Sequence, residues 1–356
     1  MGEVFLAVSS VHVGAKTIGQ GGRCFVIAEA GVNHNGDLKL AKQLVDAAVA
    51  AGADAVKFQT FHAEDLVVPN APKAQYQLLG TDRRESQYAM LKRLELSVKV
   101  HQELQEYAER CGIIFLSTPF DNDSIDFLAQ LGVPLFKLAS GELTNYFLLD
   151  HVASKGKPVI LSTGMAFLEE VGDAIQVLQG GGCTEIILLH CTTNYPTLPI
   201  DCNLRAMVTL GEAFGLTVGY SDHSEGTEIP LAAVALGAHV LEKHLTLDRA
   251  LPGPDHQASL DPAGFAALVR GVRVVEASLG DGCKRPATSE QETRTVARRS
   301  LVAAQFIPAG TVLAKEHLCA KRPGTGIPPS QFKRLIGRTL RHGLMQDQIV
   351  AWTDLE

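Results

Sequence analysis

Eight apolar, β-rich runs recur along this chain and limit the folds open to it. Helix-type stretches such as LKLAKQLVDAAVAAG (38–52) lie between the runs. Strand, helix and strand repeating every ~20–30 residues predict parallel βαβ units. Eight such units predict an α/β protein with a (β/α)8 TIM barrel over residues 25–280, with a doubly wound open sheet as the alternative. The runs are FVIAEAG (25–31), DAVKFQT (54–60), IIFLSTPF (113–120), LFKLASG (135–141), PVILSTG (158–164), EIILLHCT (185–192), TVGYSDH (217–223) and HVLEKHLT (239–246).

Nearly every run ends in polar side chains. In a barrel the carboxyl ends of all strands meet at one mouth, where barrel enzymes keep their active sites. An open sheet would spread these residues along an edge, so the barrel accounts for more of the pattern. The strand-end residues are Glu29, Lys57, Gln59, Ser117, Thr118, Lys137, Ser140, Ser162, Thr163, His190, His223, Glu242 and His244.

The rest of the 356 residues predicts a leader and a small second domain. Residues 1–24 predict a leader strand or hairpin. Residues 281–298 are polar and lack apolar periodicity, which predicts a linker. Residues 299–356 combine short strand-like runs with Pro/Gly loops, which predicts a small domain. The gap at 61–96 exceeds an ordinary βα loop and suggests a lid or an oligomer contact.

Composition argues against two classes of partner. A net charge of −7 and a pI near 6.0 speak against nucleic acid and anionic membranes. No apolar run approaches the ~18–20 residues that cross a bilayer, and the N-terminus lacks the basic segment of a signal peptide. The seven cysteines form no CxxC pair, which is typical of reduced thiols in a cytoplasmic protein.

Two histidines end neighbouring predicted strands, His223 in YSDH and His244 in LEKH. Adjacent barrel strands stand ~4.8 Å apart, so the two imidazoles are close enough to share a divalent cation. Glu242 is two residues from His244 and faces the same way. A site with two histidine ligands leaves positions for water and substrate oxygens. The alternative is one hydrogen-bonded histidine and one surface histidine.

Two lysines lie inside apolar strands, Lys57 in AVKFQT and Lys137 in LFKLASG. A lysine is costly there unless it is paired, so the pattern indicates either buried salt bridges or neutralisation of an anion. Ser140, Ser162 and Thr163 end neighbouring strands beside glycines and supply hydroxyls and backbone N–H groups of the kind that hold phosphate. With a metal in the same pocket, this set predicts a phosphorylated, carboxylated substrate.

Three further residues are candidates for the same mouth. Glu29 ends the first strand beside lysines, so it is either an acid/base or an ion-pair partner. Tyr195 and Asp255 lie in Pro-bounded loops after later strands and suit a substrate rich in hydroxyls, although either is equally compatible with a structural role. Asn33 and His34 are interpreted as loop formers, with a place in the lining of the mouth as the alternative.

The ordered motifs resemble the sialic acid synthase family from about Cys24 onward, and the C-terminal unit resembles the family's antifreeze-like SAF domain, a β-clip. The resemblance implies condensation of phosphoenolpyruvate (PEP) with an open-chain N-acetylated hexosamine and release of phosphate. N-acetylmannosamine is the default sugar. A 2,4-diacetamido-6-deoxy hexose leading to legionaminate or pseudaminate is the alternative. The motifs are AEAGVNHNGD, VKFQTF, LFKLASGELTN, PVILSTGM, LLHCTTNYPT, GYSDHSEG, LEKHLTLD, PGPDHQASLDP and KRPGTGI.

The resemblance also implies roles for individual residues. His223 and His244 match ligands of manganese or magnesium, and Glu29 matches an essential glutamate. Arg322 matches an arginine that the SAF domain of one subunit places over the active site of its partner in a domain-swapped homodimer. The residues that match PEP contacts are Lys57, Thr118, Lys137, Ser140 and Ser162, with Thr193 or Asn194 in a further position. Those that match sugar contacts are Gln59, Tyr195, Asp255 and Arg322.

The sequence is compatible with three rival functions. The first is another PEP-condensing synthase that makes a seven- or eight-carbon keto sugar acid, although such enzymes generally lack a KRPG-bearing tail. The second is a lyase that forms a Schiff base on Lys57, Lys137 or Lys243. The third is an ice- or carbohydrate-binding protein without catalysis, which has no need of the charged residues at the mouth.

Overall fold

The computed structural model describes residues 10–14 and 16–356, so most of the predicted leader lies outside it. Within the described part, strands β1 (Val11–Val13) and β2 (Lys16–Ile18) pair in antiparallel fashion. The side chains of Val11 and Val13 are fully buried and pack with apolar residues from the interior of the barrel strands. The hairpin therefore covers the amino-terminal end of the barrel.

Eight parallel strands form one sheet, which confirms the predicted (β/α)8 barrel. Its hydrogen-bonded order is β5-β4-β3-β10-β9-β8-β7-β6, and the terminal strands β5 and β6 lie against each other, so the sheet closes on itself. Each of the eight sequence runs contains one strand. The strands are β3 (Phe25–Gly31), β4 (Ala55–Thr60), β5 (Ile114–Pro119), β6 (Phe136–Leu138), β7 (Val159–Ser162), β8 (Ile186–Cys191), β9 (Thr217–Asp222) and β10 (Val240–His244).

Helices cover the outside of the sheet, and the main apolar core lies between the two layers. Local sequence signals begin and end these helices: Asp37 caps α1, and its side chain accepts hydrogen bonds from the backbone N–H groups of Lys39 and Leu40. The helices of the barrel unit are α1 (Leu38–Ala51), α2 (Ala63–Leu66), α3 (Gln77–Gly80), α4 (Gln87–Leu94), α5 (Val98–Cys111), α6 (Asn122–Leu131), α7 (Tyr146–Ala153), α8 (Leu168–Gly180), α9 (Arg205–Phe214), α10 (Glu228–Ala235) and α11 (Pro262–Leu279).

The long gap after β4 contains the short helices α2, α3 and α4. Four buried side chains hold it to the barrel, namely Val32, Phe61, Met90 and Leu94. Tyr76, just before α3, lines the cavity at the barrel mouth. The segment therefore forms one wall of that mouth.

The chain divides into two compact units, 1–280 and 281–356. The second unit has its own apolar core and an antiparallel pair, β11 (Ser300–Ala303) and β12 (Leu318–Lys321). The segment predicted as a linker contains helix α12 (Gln291–Ala297). Thr295 in this helix accepts a backbone hydrogen bond from Gly324, so the segment is tied to the second unit rather than free. None of the helices among the described residues is long and apolar enough to cross a membrane.

Candidate active site

Register pairs the strand-end residues of four neighbouring strands, β10, β3, β4 and β5. Glu29 on β3 is the partner of Lys57 on β4 and of His244 on β10. Gln59 on β4 is the partner of Thr118 on β5. Because these strands are parallel neighbours, their polar ends meet at the carboxyl mouth, as the sequence pattern predicted.

The two strand lysines lie in one buried network with two glutamates. Lys57 Nζ is 2.6 Å from Glu29 Oε2 and 3.8 Å from Glu242 Oε2. Lys137 Nζ is 3.5 Å from Glu242 Oε1, so Glu242 lies between the two ammonium groups. Lys57 also donates a 2.9 Å hydrogen bond to the hydroxyl of Thr118, and Lys137 donates one of 2.8 Å to the hydroxyl of Ser162. Each lysine therefore has both a carboxylate and a hydroxyl group as partners.

Burial shifts the proton affinity of these groups. It raises the pKa of the Glu29 carboxyl, against the lowering effect of the nearby Lys57. Burial also lowers the pKa of Lys137, although Glu242 opposes that shift. Burial raises the pKa of Asp255 to about 6. Carboxyl groups with raised pKa values are able to exchange protons near neutral pH, as acid–base catalysis requires.

The two strand-end histidines lie side by side, with ring centroids 5.3 Å apart. His223 Nδ1 is 2.8 Å from the carbonyl oxygen of Thr192, so this N–H donates there, and in the neutral ring Nε2 is the acceptor. His244 Nδ1 is buried, has no hydrogen-bond partner among the described residues, and lies 3.7 Å from Asp255 Oδ2. Burial, reinforced by His223, lowers the pKa of His244 well below its usual value, so the ring is neutral at pH 7.

A stack of rings covers the histidines. The ring of Tyr195 lies 4.1 Å from that of His223 and 5.6 Å from that of His244, centroid to centroid. Tyr76, from the segment after β4, stacks on Tyr195 with ring centroids 4.7 Å apart. Tyr195 is therefore in contact with both imidazoles and with Tyr76.

At the carboxyl ends of β6 and β7, small residues and hydroxyl groups line the mouth. Gly164 N donates a 2.9 Å hydrogen bond to Ser140 Oγ. A Cβ on Gly164 would lie less than 3.0 Å from both Thr193 Oγ1 and Ser140 Oγ, so these hydroxyl groups would have to move. Thr193 Oγ1 is buried without a partner among the described residues, whereas Asn194 is exposed. Of these two alternatives, Thr193 is the one that faces the cavity.

The strand-end residues Ser117, Thr163 and His190 do not line the cavity at the mouth. Of the residues to which the resemblance gives a role, all but one line this cavity, which has a volume of about 220 Å³. The exception is Arg322, an exposed residue of the second unit. Asn33 and His34 are buried in the loop after β3; Asn33 donates hydrogen bonds to Leu245 O and Ser259 Oγ, as expected of a loop former. The cavity residues are Glu29, Lys57, Gln59, Thr118, Lys137, Ser140, Ser162, Thr193, Tyr195, His223, His244 and Asp255.

The sequence analysis assigned no role to several residues that line this cavity. For Glu242 a signal existed, since it precedes His244 by two positions on the same strand face. For Tyr76 no signal existed, because it comes from an irregular segment. Lys243 points elsewhere: it is buried, and its ammonium lies 2.5 Å from Asp222 Oδ2.

A second group of possible metal ligands lies outside the cavity. His62, Asp65 and Asp121 bring one ligand atom each within 4.8 Å of one another. Asp121 is already occupied, since it caps α6 and accepts hydrogen bonds from the backbone and side chain of Ser124. His62 and Asp65 are largely exposed.

Family models match both units. The NeuB family matches residues 44–284 and the SAF domain matches residues 298–356. The chain belongs to the NeuB family. The resemblance to sialic acid synthases and the barrel-plus-SAF architecture are thereby confirmed, and the enzyme is a nonulosonic acid synthase.

Relatives of this NeuB protein differ in their named products. It is 48% identical to the N,N'-diacetyllegionaminic acid synthase of Legionella pneumophila, over 96% of this chain and 98% of that protein. It is 47% identical to the synthase of the same name from Campylobacter jejuni, over 92% and 99%. The crystal structure of the N-acetylneuraminic acid synthetase of Leptospira borgpetersenii is 38% identical with a TM-score of 0.71, over 80% of this chain and 95% of that one.

Proposed function

We propose that this enzyme condenses PEP with a 2,4-diacetamido-6-deoxy hexose and makes a legionaminate-type product. Identities of 47–48% to two legionaminic acid synthases, against 38% to a sialic acid synthetase, support this alternative over N-acetylmannosamine. The observation that carries the catalytic assignment is the convergence of two lysines, two glutamates and two histidines on one buried cavity.

In this proposal PEP lies between the lysines and the hydroxyls. Lys57 and Lys137 neutralise the phosphate and carboxylate of PEP, because both ammonium groups line the cavity and carry hydroxyl partners that an anion is able to share. Ser140 and Thr193, beside the glycine that leaves backbone close to the cavity, complete the anion site.

The residues fit a divalent cation, manganese or magnesium. The fit rests on His244, whose buried ring nitrogen lacks a partner among the described residues, and on His223, whose Nδ1 hydrogen bond leaves Nε2 free to coordinate. A bound cation supplies Lewis-acid activation of the sugar aldehyde.

The protein's own groups then position the reactants and move protons. The reaction joins the methylene carbon of PEP to the aldehyde carbon of the sugar, adds water at the former enol carbon and expels phosphate by C–O cleavage. We assign the proton transfers to Glu29, whose carboxylate lies 2.6 Å from Lys57 and accepts a 3.3 Å hydrogen bond from Gln59. Gln59, Tyr195 and Asp255 are assigned to the hydroxyl groups of the sugar.

The active form is proposed to be a domain-swapped homodimer in which Arg322 contacts the sugar in the partner's barrel. Charge supports this pairing: residues 281–356 contain 12 Lys and Arg against seven Asp and Glu, whereas residues 1–280 contain 20 against 32. Exposed apolar side chains also follow β6, β7 and β8, with Phe147 90%, Phe167 76% and Ile200 88% exposed in the single chain. These three side chains follow neighbouring strands and offer apolar surface to a partner subunit.

A cytoplasmic location stays a prediction. It is supported by the seven cysteines, all of which are free thiols.

Phosphate release from PEP, measured with a panel of amino sugars, tests the function. We expect the highest kcat/KM with the 2,4-diacetamido-6-deoxy hexose of the legionaminate series, a lower value with that of the pseudaminate series and the lowest with N-acetylmannosamine. A reaction without sugar is the control. If N-acetylmannosamine is the best substrate, the assignment of the sugar is wrong; if no sugar releases phosphate, the assignment of the reaction is wrong.

A further inference from the structure

One side of the cavity is apolar, although the rest of it is charged and hydroxylated. We call Val32, Leu91, Leu94 and Phe120 the apolar wall; all four line the cavity. They come from the loop after β3, from α4 and from the residue after β5. Phe61, Leu66 and Met90 pack in the same apolar cluster as this wall.

An apolar wall is a poor partner for a sugar that carries only hydroxyl groups at its far end. Open-chain N-acetylmannosamine has hydroxyls from C3 to C6, and burying a hydroxyl without a hydrogen-bond partner is unfavourable. The residues assigned to sugar hydroxyls, Gln59, Tyr195 and Asp255, lie with the histidines and Glu29 on the polar side. Nothing in the apolar wall offers a hydrogen bond to a terminal hydroxyl.

We infer that the apolar wall receives the methyl-bearing end of the amino sugar and selects a 6-deoxy substrate over a 6-hydroxy one. The inference rests on the proposed function, which puts the aldehyde end at the histidines and leaves C4 to C6 toward α4. A methyl group at C6 then contacts Leu91 and Phe120, both half-buried and therefore accessible from the cavity. A single group of this size in an apolar pocket changes kcat/KM by roughly ten- to a hundredfold.

Gln77 supplies a polar side chain for contact with the second acetamido group. Gln77 is buried and lines the cavity beside the wall. Its oxygen accepts a 2.9 Å hydrogen bond from Ala74 N, while its amide nitrogen has, among the described residues, contacts of 3.5 Å to the Tyr76 hydroxyl only. One of the two amide N–H groups is thus available to donate to the carbonyl of a 4-acetamido group.

There is also room beyond the wall. A second cavity of about 480 Å³ has Met90, Leu94 and Pro254 in its lining, and these three residues line the first cavity as well. These three residues therefore separate the two cavities.

The first test uses the wild-type enzyme and needs no variant. N-acetylmannosamine is compared with its 6-deoxy analogue, which differs only at C6, at saturating PEP. The 6-deoxy compound should have a kcat/KM at least roughly ten times higher, with the KM for PEP unchanged. Equal values, or a preference for the 6-hydroxy sugar, would overturn the role of the wall.

The second test asks whether the apolar wall causes the preference for the 6-deoxy sugar. Leu91→Gln should lower, roughly tenfold, the ratio of kcat/KM for the 6-deoxy sugar to kcat/KM for N-acetylmannosamine. Leu66→Gln is the matched control, because Leu66 is equally half-buried in the same cluster but does not line the cavity. Leu91→Ala serves as a milder second variant.

The outcomes separate this inference from the proposed function. If the wild type prefers the diacetamido sugar but Leu91→Gln and Leu66→Gln lower both sugars equally, the wall has no role in selection and the function stands. If the wild type turns over N-acetylmannosamine best, both the sugar assignment and the role of the wall are wrong.

Discussion

Buried charge limits what the cavity is able to bind. Three carboxyl groups, Glu29, Glu242 and Asp255, face two ammonium groups, Lys57 and Lys137, and all five side chains are buried. When all are ionised, the protein alone leaves the cavity negative, which opposes entry of a PEP anion. Raised pKa values at Glu29 and Asp255 reduce that excess, and a divalent cation at the histidines would reverse it. We therefore expect cation and PEP binding to support each other.

The first prediction concerns the ligands of that cation. His223→Ala and His244→Ala should each lose bound manganese and at least about a hundred-fold of the turnover, since even second-sphere changes cost 10- to 100-fold. Metal content after dialysis and phosphate release from PEP are the two measurements. Chelation of the wild type should abolish activity, and manganese should restore it.

The exposed group at His62 provides the control for this prediction. His62→Ala should keep both metal and activity, because His62 does not line the cavity. Metal loss in His62→Ala together with normal metal content in the two cavity variants would move the cation to the His62, Asp65 and Asp121 group.

Single residues were predictable where the strand pattern fixed their direction. Lys57, Lys137 and His244 lie within or at the end of strands, where alternation of side chains decides which face they occupy. Tyr76 and Leu91 reached the cavity through the packing of the segment after β4, which no sequence period describes. Whether Thr193 or Asn194 faces the cavity depends on the direction of the backbone in a loop, which the sequence pattern does not specify.

At the scale of elements, periodicity predicted the strands better than their ends. The run at 135–141 yields only β6, Phe136–Leu138, because a 3-10 turn begins at Ser140. That early turn brings Ser140 back to Gly164 and forms the hydroxyl-rich part of the mouth. The sequence did not predict helices α2 to α4, because each is short. The apolar cluster, not the periodicity of the segment, holds them in place.

The loop between β3 and α1 should make the barrel sensitive to acid. Burial lowers the pKa of His34 to about 3, and its Nδ1 accepts a 2.9 Å hydrogen bond from Gly36 N. The unfolded chain takes up a proton near pH 6.5, whereas the folded chain does not until about pH 3. The ring thus contributes stability above pH 6.5 that is lost as the pH falls, with a slope near 1.4 kcal/mol per pH unit.

His34→Asn tests this slope, because asparagine keeps an acceptor for Gly36 but does not titrate. Urea unfolding followed by circular dichroism between pH 4 and 8 should give a shallower loss of unfolding free energy below pH 6.5 than the wild type shows. Parallel curves for the two proteins would mean that His34 does not contribute to acid sensitivity.

At the scale of the whole molecule, the two units have opposite net charges. The second unit has a surplus of five positive charges and the barrel unit a surplus of 12 negative ones, counting Lys, Arg, Asp and Glu. The second unit has an independent core and an exposed Arg322, but the residues that surround PEP in the proposed site all belong to the barrel unit. Under the proposed function, the second unit contributes to activity through Arg322.

The last prediction tests whether that barrel belongs to the partner subunit. Glu29→Ala removes the proposed acid–base group and Arg322→Ala the proposed sugar contact, so each homodimer alone should be inactive. After subunit exchange, a heterodimer contains one site with both residues intact and one with neither. Phosphate release should therefore reappear at up to about half of the heterodimer sites. Exchange is verified by mixing subunits with different affinity tags and recovering both together. If exchange is complete and no activity returns, Arg322 acts on its own barrel and the domain-swapped arrangement is wrong. If the Arg322→Ala homodimer is active by itself, Arg322 has no part in the reaction.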